Sequence, residues 1–164
     1  MTLNDGEGTR LYWLRAFATQ RKPEHICLLK ACLDDPEPAI RTLAVRGLGW
    51  LRQEAVAPAI ASCLDDIDDD VRKWAASSLA LTGCGRQIQQ QLITMVRCDR
   101  AAGVRATSLR TLSWLGQTKV LDAIRWSLNH ETSDIVLAAA LEGVGRLNLL
   151  ELQPLLLAYL DHDA

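Results

Sequence analysis

Phenylalanine occurs once in the 164 residues, and all aromatic residues together make up 5 % of the chain. β-branched alternation is sparse, and no Asn-Gly or Asp-Gly turn separates strand-like runs, so a sheet core has little to be built from. Long apolar runs are missing too. No stretch approaches the roughly 18 uninterrupted apolar residues that a bilayer span requires, so no membrane partner is expected. Charge of one sign is not in excess: 18 Lys and Arg stand against 20 Asp and Glu, a formal net charge of -2. That balance argues against an affinity drawn mainly from phosphate neutralisation, and nucleic acid is not the expected partner. Met1 to Arg10 lack the basic and apolar regions of a secretory signal, so a cytoplasmic localisation is expected.

The five cysteines (Cys27, Cys32, Cys63, Cys84 and Cys98) are odd in number and form no C-x-x-C pair. They read as small apolar residues in a reducing compartment. Cys32 and Cys63 each precede a Leu-Asp-Asp, whereas Cys84, between Gly83 and Gly85, is the expected exposed thiol. His25, His130 and His162 lie too far apart in sequence for a metal cluster. Asp66, Asp68 and Asp70 alternate as in a calcium loop, but Val71 and Ser77 stand where that loop needs Gly and Glu. These acids are better explained as caps of a following helix. With no nucleophile elbow and no phosphate-binding glycine loop, no catalytic residue, cofactor or metal is assigned.

A repeat is present instead. Ile40-Arg41, Val71-Arg72, Val104-Arg105 and Val136-Leu137 each open a nine-residue segment of one pattern, and a weaker copy opens at Thr9-Arg10. The copies start at 9, 40, 71, 104 and 136. Within each, apolar residues fall at relative positions 1, 5, 8 or 9, and 12, which is helical spacing. A second apolar stretch precedes each copy after the first, at 26–33, 56–64, 88–96 and 120–128, and another follows the last at 150–160. Acidic turns such as Leu33-Asp34-Asp35-Pro36 lie between the two stretches. Each unit is therefore helix A, turn, helix B, then a Gly-marked turn such as Thr82-Gly83 or Leu115-Gly116. The expectation is about ten helices in one repeat domain over 9–164, after a polar segment 1–8.

The motif Asp69-x-Val71-Arg72-x-x-Ala75-Ala76-x-x-Leu79, with Ile40-Arg41, Val104-Arg105 and Leu48-Gly49 elsewhere, resembles the HEAT-repeat superfamily. It is most similar to the short repeats named after phycobilisome lyases, and the resemblance covers about 9–164. It implies an all-α, right-handed α-solenoid (an armadillo or HEAT-like superhelix) of antiparallel helix pairs, with B helices lining the inner curve. It further implies a non-catalytic scaffold or adaptor for another protein or peptide. An alternative is a bilin lyase-like subunit or chaperone that handles a tetrapyrrole on a phycobiliprotein. HEAT-like DNA glycosylases are a poorer fit, because helix B carries no Asp among Trp50, Trp74 and Trp114. His130-Glu131 resembles the pairs of HEAT-type di-iron hydroxylases, but a single pair cannot build that centre.

Two faces of helix B carry further expectations. The Arg at 10, 41, 72 and 105 sits beside an acidic turn and predicts a ladder of Arg-to-Asp contacts between units, which Leu137 lacks. Positions 4, 7 and 11 share a second face. That face carries Tyr12, Arg15, Arg46, Trp50, Trp74, Arg110, Trp114 and Arg146, of residue types common at interface hot spots. Trp50 and Trp114 either tuck between B helices or line a groove for a partly acidic peptide or helix. The apolar C-terminal stretch predicts either self-association or continuation of a longer array.

Overall fold

The computed structural model describes residues 6–116, 119–154 and 157. Among the described residues there are nine α-helices and no strand. They are α1 (Gly6–Gln20), α2 (Ile26–Ala31), α3 (Pro38–Trp50), α4 (Ala57–Ala61), α5 (Asp69–Thr82), α6 (Arg86–Cys98), α7 (Ala102–Leu115), α8 (Val120–His130) and α9 (Asp134–Leu147). Odd numbers are the B helices and even numbers the A helices. The first B helix begins at Gly6, earlier than Thr9, so the end of the polar N-terminal segment is helical. A 3-10 turn at Leu150–Leu152 leads into the tenth predicted helix. Most of that helix, together with His162 and the expected self-association surface, lies outside the described residues.

The chain divides into two compact units, Met1–Ile88 and Gln89–Ala164. In the first, α1 packs on α3 and α3 on α5, with α2 and α4 alongside. Its core is made by Leu14, Leu29, Ile40, Leu48, Ile60, Val71, Ala75 and Leu79, all buried. In the second unit α7 packs on α9 and α8 against both, around Val104, Leu109, Leu112, Ile124, Val136 and Ala140. In α3, α5, α7 and α9 positions 1, 5, 8 and 9 are the buried stripe, whereas in α1 the buried residues are Leu14 and Ala18, and Trp13 at position 5 is exposed. Position 12 is buried at Thr82 and half-covered at Leu51, Leu115 and Leu147.

Close approach of successive B helices depends on small residues. A Cβ added at Gly49 of α3 would lie 2.6 Å from the Cβ and Oγ of Ser78 on α5. One added at Gly143 of α9 would lie 2.7 Å from Ser113 Oγ on α7. Helix ends follow the turn chemistry: Gly83 (φ 76) and Gly116 (φ 64) take the positive φ that L side chains resist. Cys84, in the turn after α5, is half-buried; the exposed thiols are Cys27 and Cys98. Gly83 turns the chain there, so its neighbour folds back against the protein instead of pointing out. Cys63 is buried as expected, and burial pushes its thiol up to about 11.

The acidic turns work as the sequence implies. Asp68 caps α5, its carboxylate accepting from the Asp70 and Val71 N–H groups. Asp35, Asp66 and Asp99 each accept from the backbone N–H two residues on, at 3.0, 2.9 and 2.8 Å. Arg41 and Arg105 hold these turns from both sides. Arg41 NH1 donates to the Asp35 and Pro36 carbonyls of its own turn, at 2.8 and 3.1 Å. Its Nε and NH2 clamp the Asp66 carboxylate of the next turn, at 2.8 and 2.7 Å. Arg105 does the same with the Asp99 carbonyl and with Glu131, and Arg10 pairs with Asp35. Burial works to raise the Asp66 pKa, but the Arg41 hydrogen bonds, the Asp68 N–H and the Arg41 and Arg72 charges overcome it and hold it below the ordinary value. Glu131 is thereby engaged in the ladder. His130 stacks on Trp126 at 5.0 Å, its Nδ1 within 2.8 Å of the Trp126 carbonyl oxygen.

Candidate partner-binding groove

The second face of the B helices is arranged differently in the two units. In the first unit it opens into a groove of about 520 Å³ lined by α1, α3 and the start of α5. Leu11 and Arg15 come from α1, Leu43, Arg46 and Trp50 from α3, and Trp74 from α5. The volume is within the range of pockets that take small molecules or peptide side chains.

Arg46 is the centre of this groove. Its guanidinium lies 4.2 Å from the Trp74 ring centroid and 5.1 Å from that of Trp50, so one cation is caged by two aromatic faces. Position 7 of α3 and position 4 of α5 meet because successive B helices pack side by side. Trp50 and Trp74 are each half-buried, one face against Arg46 and part of the ring left to the groove. Arg15 is exposed on the opposite wall. Asp68 and Asp70 form the far rim, where Asp68 caps α5 and Asp70 pairs with Lys73.

Tyr12 does not line the groove. It is 69 % exposed and packs edge-on against Trp13 at 5.9 Å, while Leu11 faces inward in its place. In α1 the buried residues are Leu14 and Ala18, and the side chains that face the groove are Leu11 and Arg15. The lining also includes Pro38, Ala39 and Thr42, which the 4-7-11 face omitted. Extending that face back one helical turn from Leu43 would have found Ala39.

In the second unit the corresponding side chains form their own cluster and satisfy one another. Arg110 Nε and NH2 donate to Glu142 at 2.7 and 3.1 Å, and this pairing holds the Glu142 carboxyl below its ordinary pKa. Arg146 lies over Trp114, 3.6 Å from the ring centroid. Trp114 remains 64 % exposed, so it does not tuck between helices. Arg110 therefore has an internal counter-ion, unlike the free groove arginine the sequence face suggested. Glu142 occupies position 7 of α9, where it meets position 7 of α7.

No described helix is long and apolar enough to cross a membrane. Among the described residues no three His, Cys, Asp or Glu side chains gather as a metal site.

A family model described as HEAT repeats matches residues 5–80 and 68–145. Among solved structures, the complex of CpcE and CpcF of phycocyanin lyase from Nostoc sp. PCC7120 is similar, with a TM-score of 0.74 and 22 % identity. That similarity covers 88 % of this chain and 61 % of the other, so the chain spans about three-fifths of that neighbour's length. At this identity the likeness shows the fold, an all-α solenoid. No curated protein matches the chain.

Proposed function

The chain belongs to the HEAT repeats, and from the geometry of its first unit we propose that it is a non-catalytic scaffold that binds a partner protein in the groove. The observation that carries this reading is the caged, unpaired Arg46 in an open groove with Trp50, Trp74 and Arg15. Aromatic rings and arginine are the side chains from which interface hot spots are made. Two cationic side chains beside apolar walls favour an extended segment or helix with acidic residues. No disulfide links the five cysteines, in keeping with a reducing compartment.

Arg46→Glu combined with Trp74→Ala tests the groove. Arg110 is unsuited to charge reversal, because a second acid beside Glu142 would destabilise α7 against α9. The double variant is expected to keep its helicity and to lose the partner that the wild type captures. A partner retained at full affinity would remove the groove from the function.

A second reading is an accessory subunit of the bilin lyase type, which handles a linear tetrapyrrole on a phycobiliprotein. It is favoured by the likeness to the phycocyanin lyase complex and by the groove's chemistry. Trp50 and Trp74 offer stacking, and Arg15 and Arg46 suit propionates. Mixing the protein with bilin is then expected to shift its absorbance, and Arg46→Glu to weaken the shift. An unchanged spectrum rejects this reading and leaves the scaffold.

A further inference from the structure

Equivalent positions of the repeat are filled differently in the two units, and the difference isolates one cation. Position 7 of the B helices is Arg15, Arg46, Ser77, Arg110 and Glu142 in turn. In the second unit Arg110 is matched by a carboxylate from the next B helix, Glu142, through two hydrogen bonds. In the first unit the residue at the matching place after Arg46 is Ser77, which has a hydroxyl where a carboxylate would be. Arg46 is half-buried and pairs with no acid of its own unit. Its Nε is covered and has no hydrogen-bond partner, while its terminal nitrogens are not among the covered, unbonded atoms. The two acids on the rim are engaged elsewhere, Asp68 as the cap of α5 and Asp70 with Lys73.

A guanidinium stays charged at any ordinary pH. Held between two rings and partly removed from water, it gains more from a counter-ion than an exposed arginine does. The rings also fix its plane, so little side-chain freedom remains to be lost on binding. We infer that the Arg46 cage is a receptor for a carboxylate side chain of an acidic peptide segment. That carboxylate takes from outside the place that Glu142 holds within the chain for Arg110. It approaches the terminal nitrogens, because the Nε is covered. Leu11 and Leu43 on the groove walls suit apolar neighbours of the acid. The inference rests on reading the groove as a partner site and names the chemistry it selects.

The test uses the full chain and two capped hexapeptides, one alternating leucine with glutamate and the other leucine with glutamine. Nuclear magnetic resonance follows the indole N–H signals of Trp50 and Trp74. The glutamate peptide is expected to move both signals, and the glutamine peptide neither. Arg46→Gln, which keeps the stem over the rings, is expected to weaken the glutamate peptide about tenfold or more. Ser77→Glu is expected to do the same by filling the site from within, and to raise the Tm by about 1–3 °C. If both peptides move the indole signals equally, the groove binds peptides and the carboxylate receptor is refuted. Undiminished binding of the glutamate peptide by Ser77→Glu, with no gain in Tm, refutes it as well. Inorganic phosphate displacing the peptide at equal concentration would show a general anion site and overturn the peptide assignment. If neither peptide moves either signal, the groove reading falls together with the inference.

Discussion

Substituting Gly49 by alanine tests how the B helices are held at their spacing. The added Cβ would sit 2.6 Å from the Cβ and Oγ of Ser78 and 3.2 Å from its Cα. Ordinary carbon contacts lie near 3.5–4.0 Å, so α3 and α5 must part by roughly 1 Å. Part of the obstruction is backbone, which a rotamer change cannot relieve. Overpacking of this kind costs about 1–3 kcal/mol, and the helix preference of Ala over Gly returns about 0.8–1 kcal/mol. The net loss should be about 0–2 kcal/mol, which at this chain length lowers the Tm by up to about 8 °C. Gly145→Ala is the control, since nothing lies within 4 Å of a Cβ there. It should stabilise the protein by about 0.4–1 kcal/mol. The decisive variant exchanges the two residues, Gly49→Ser with Ser78→Gly. Ser113 and Gly143 already use that arrangement between α7 and α9, so the exchange should recover most of the loss, with a coupling of about 1–2 kcal/mol. Urea unfolding followed by far-ultraviolet circular dichroism measures these proteins together with the single variants Gly49→Ser and Ser78→Gly, which the coupling requires. If Gly49→Ala is as stabilising as Gly145→Ala, the argument from close approach is wrong.

Arg41→Ala strands the Asp66 carboxylate at about one-tenth exposure and removes the donor to two turn carbonyls. It should cost about 3–5 kcal/mol in urea unfolding, and a loss below 1 kcal/mol would refute the ladder as a structural element. The same pair predicts acid sensitivity. Because the folded Asp66 pKa is depressed, its stabilisation is fully present above the unfolded value of about 4 and is lost as pH falls through the folded value. Melting temperature against pH should therefore decline on the acid side, and less steeply in Arg41→Ala. Leu79→Asp buries a charge at a side chain with 0 % exposure and should abolish the cooperative helical signal. A sharp, native-like melt from this variant would contradict the placement of the core stripe.

What the sequence determined by itself is the helices and their order. Hydrophobic spacing is a local property, and five copies of one pattern at nearly constant intervals make it unambiguous. It also marked the buried stripe at Ile40, Ala44, Val71 and Ala75, and the pairing of the repeated arginines with acidic turns. Only the tertiary structure decided which side chains meet. Periodicity names the face of a helix but leaves its rotation against the neighbouring helix free by a few tens of degrees. That rotation puts Leu11 in the groove instead of Tyr12, and brings Gly49 onto Ser78. A long arginine side chain can reach several acids or rings, and packing distance selects among them. Hence Arg41 bridges its own turn to the next, and Arg110 is neutralised by Glu142. Arg46, on the same face of an equivalent helix, is left between two tryptophans without a counter-ion in its unit.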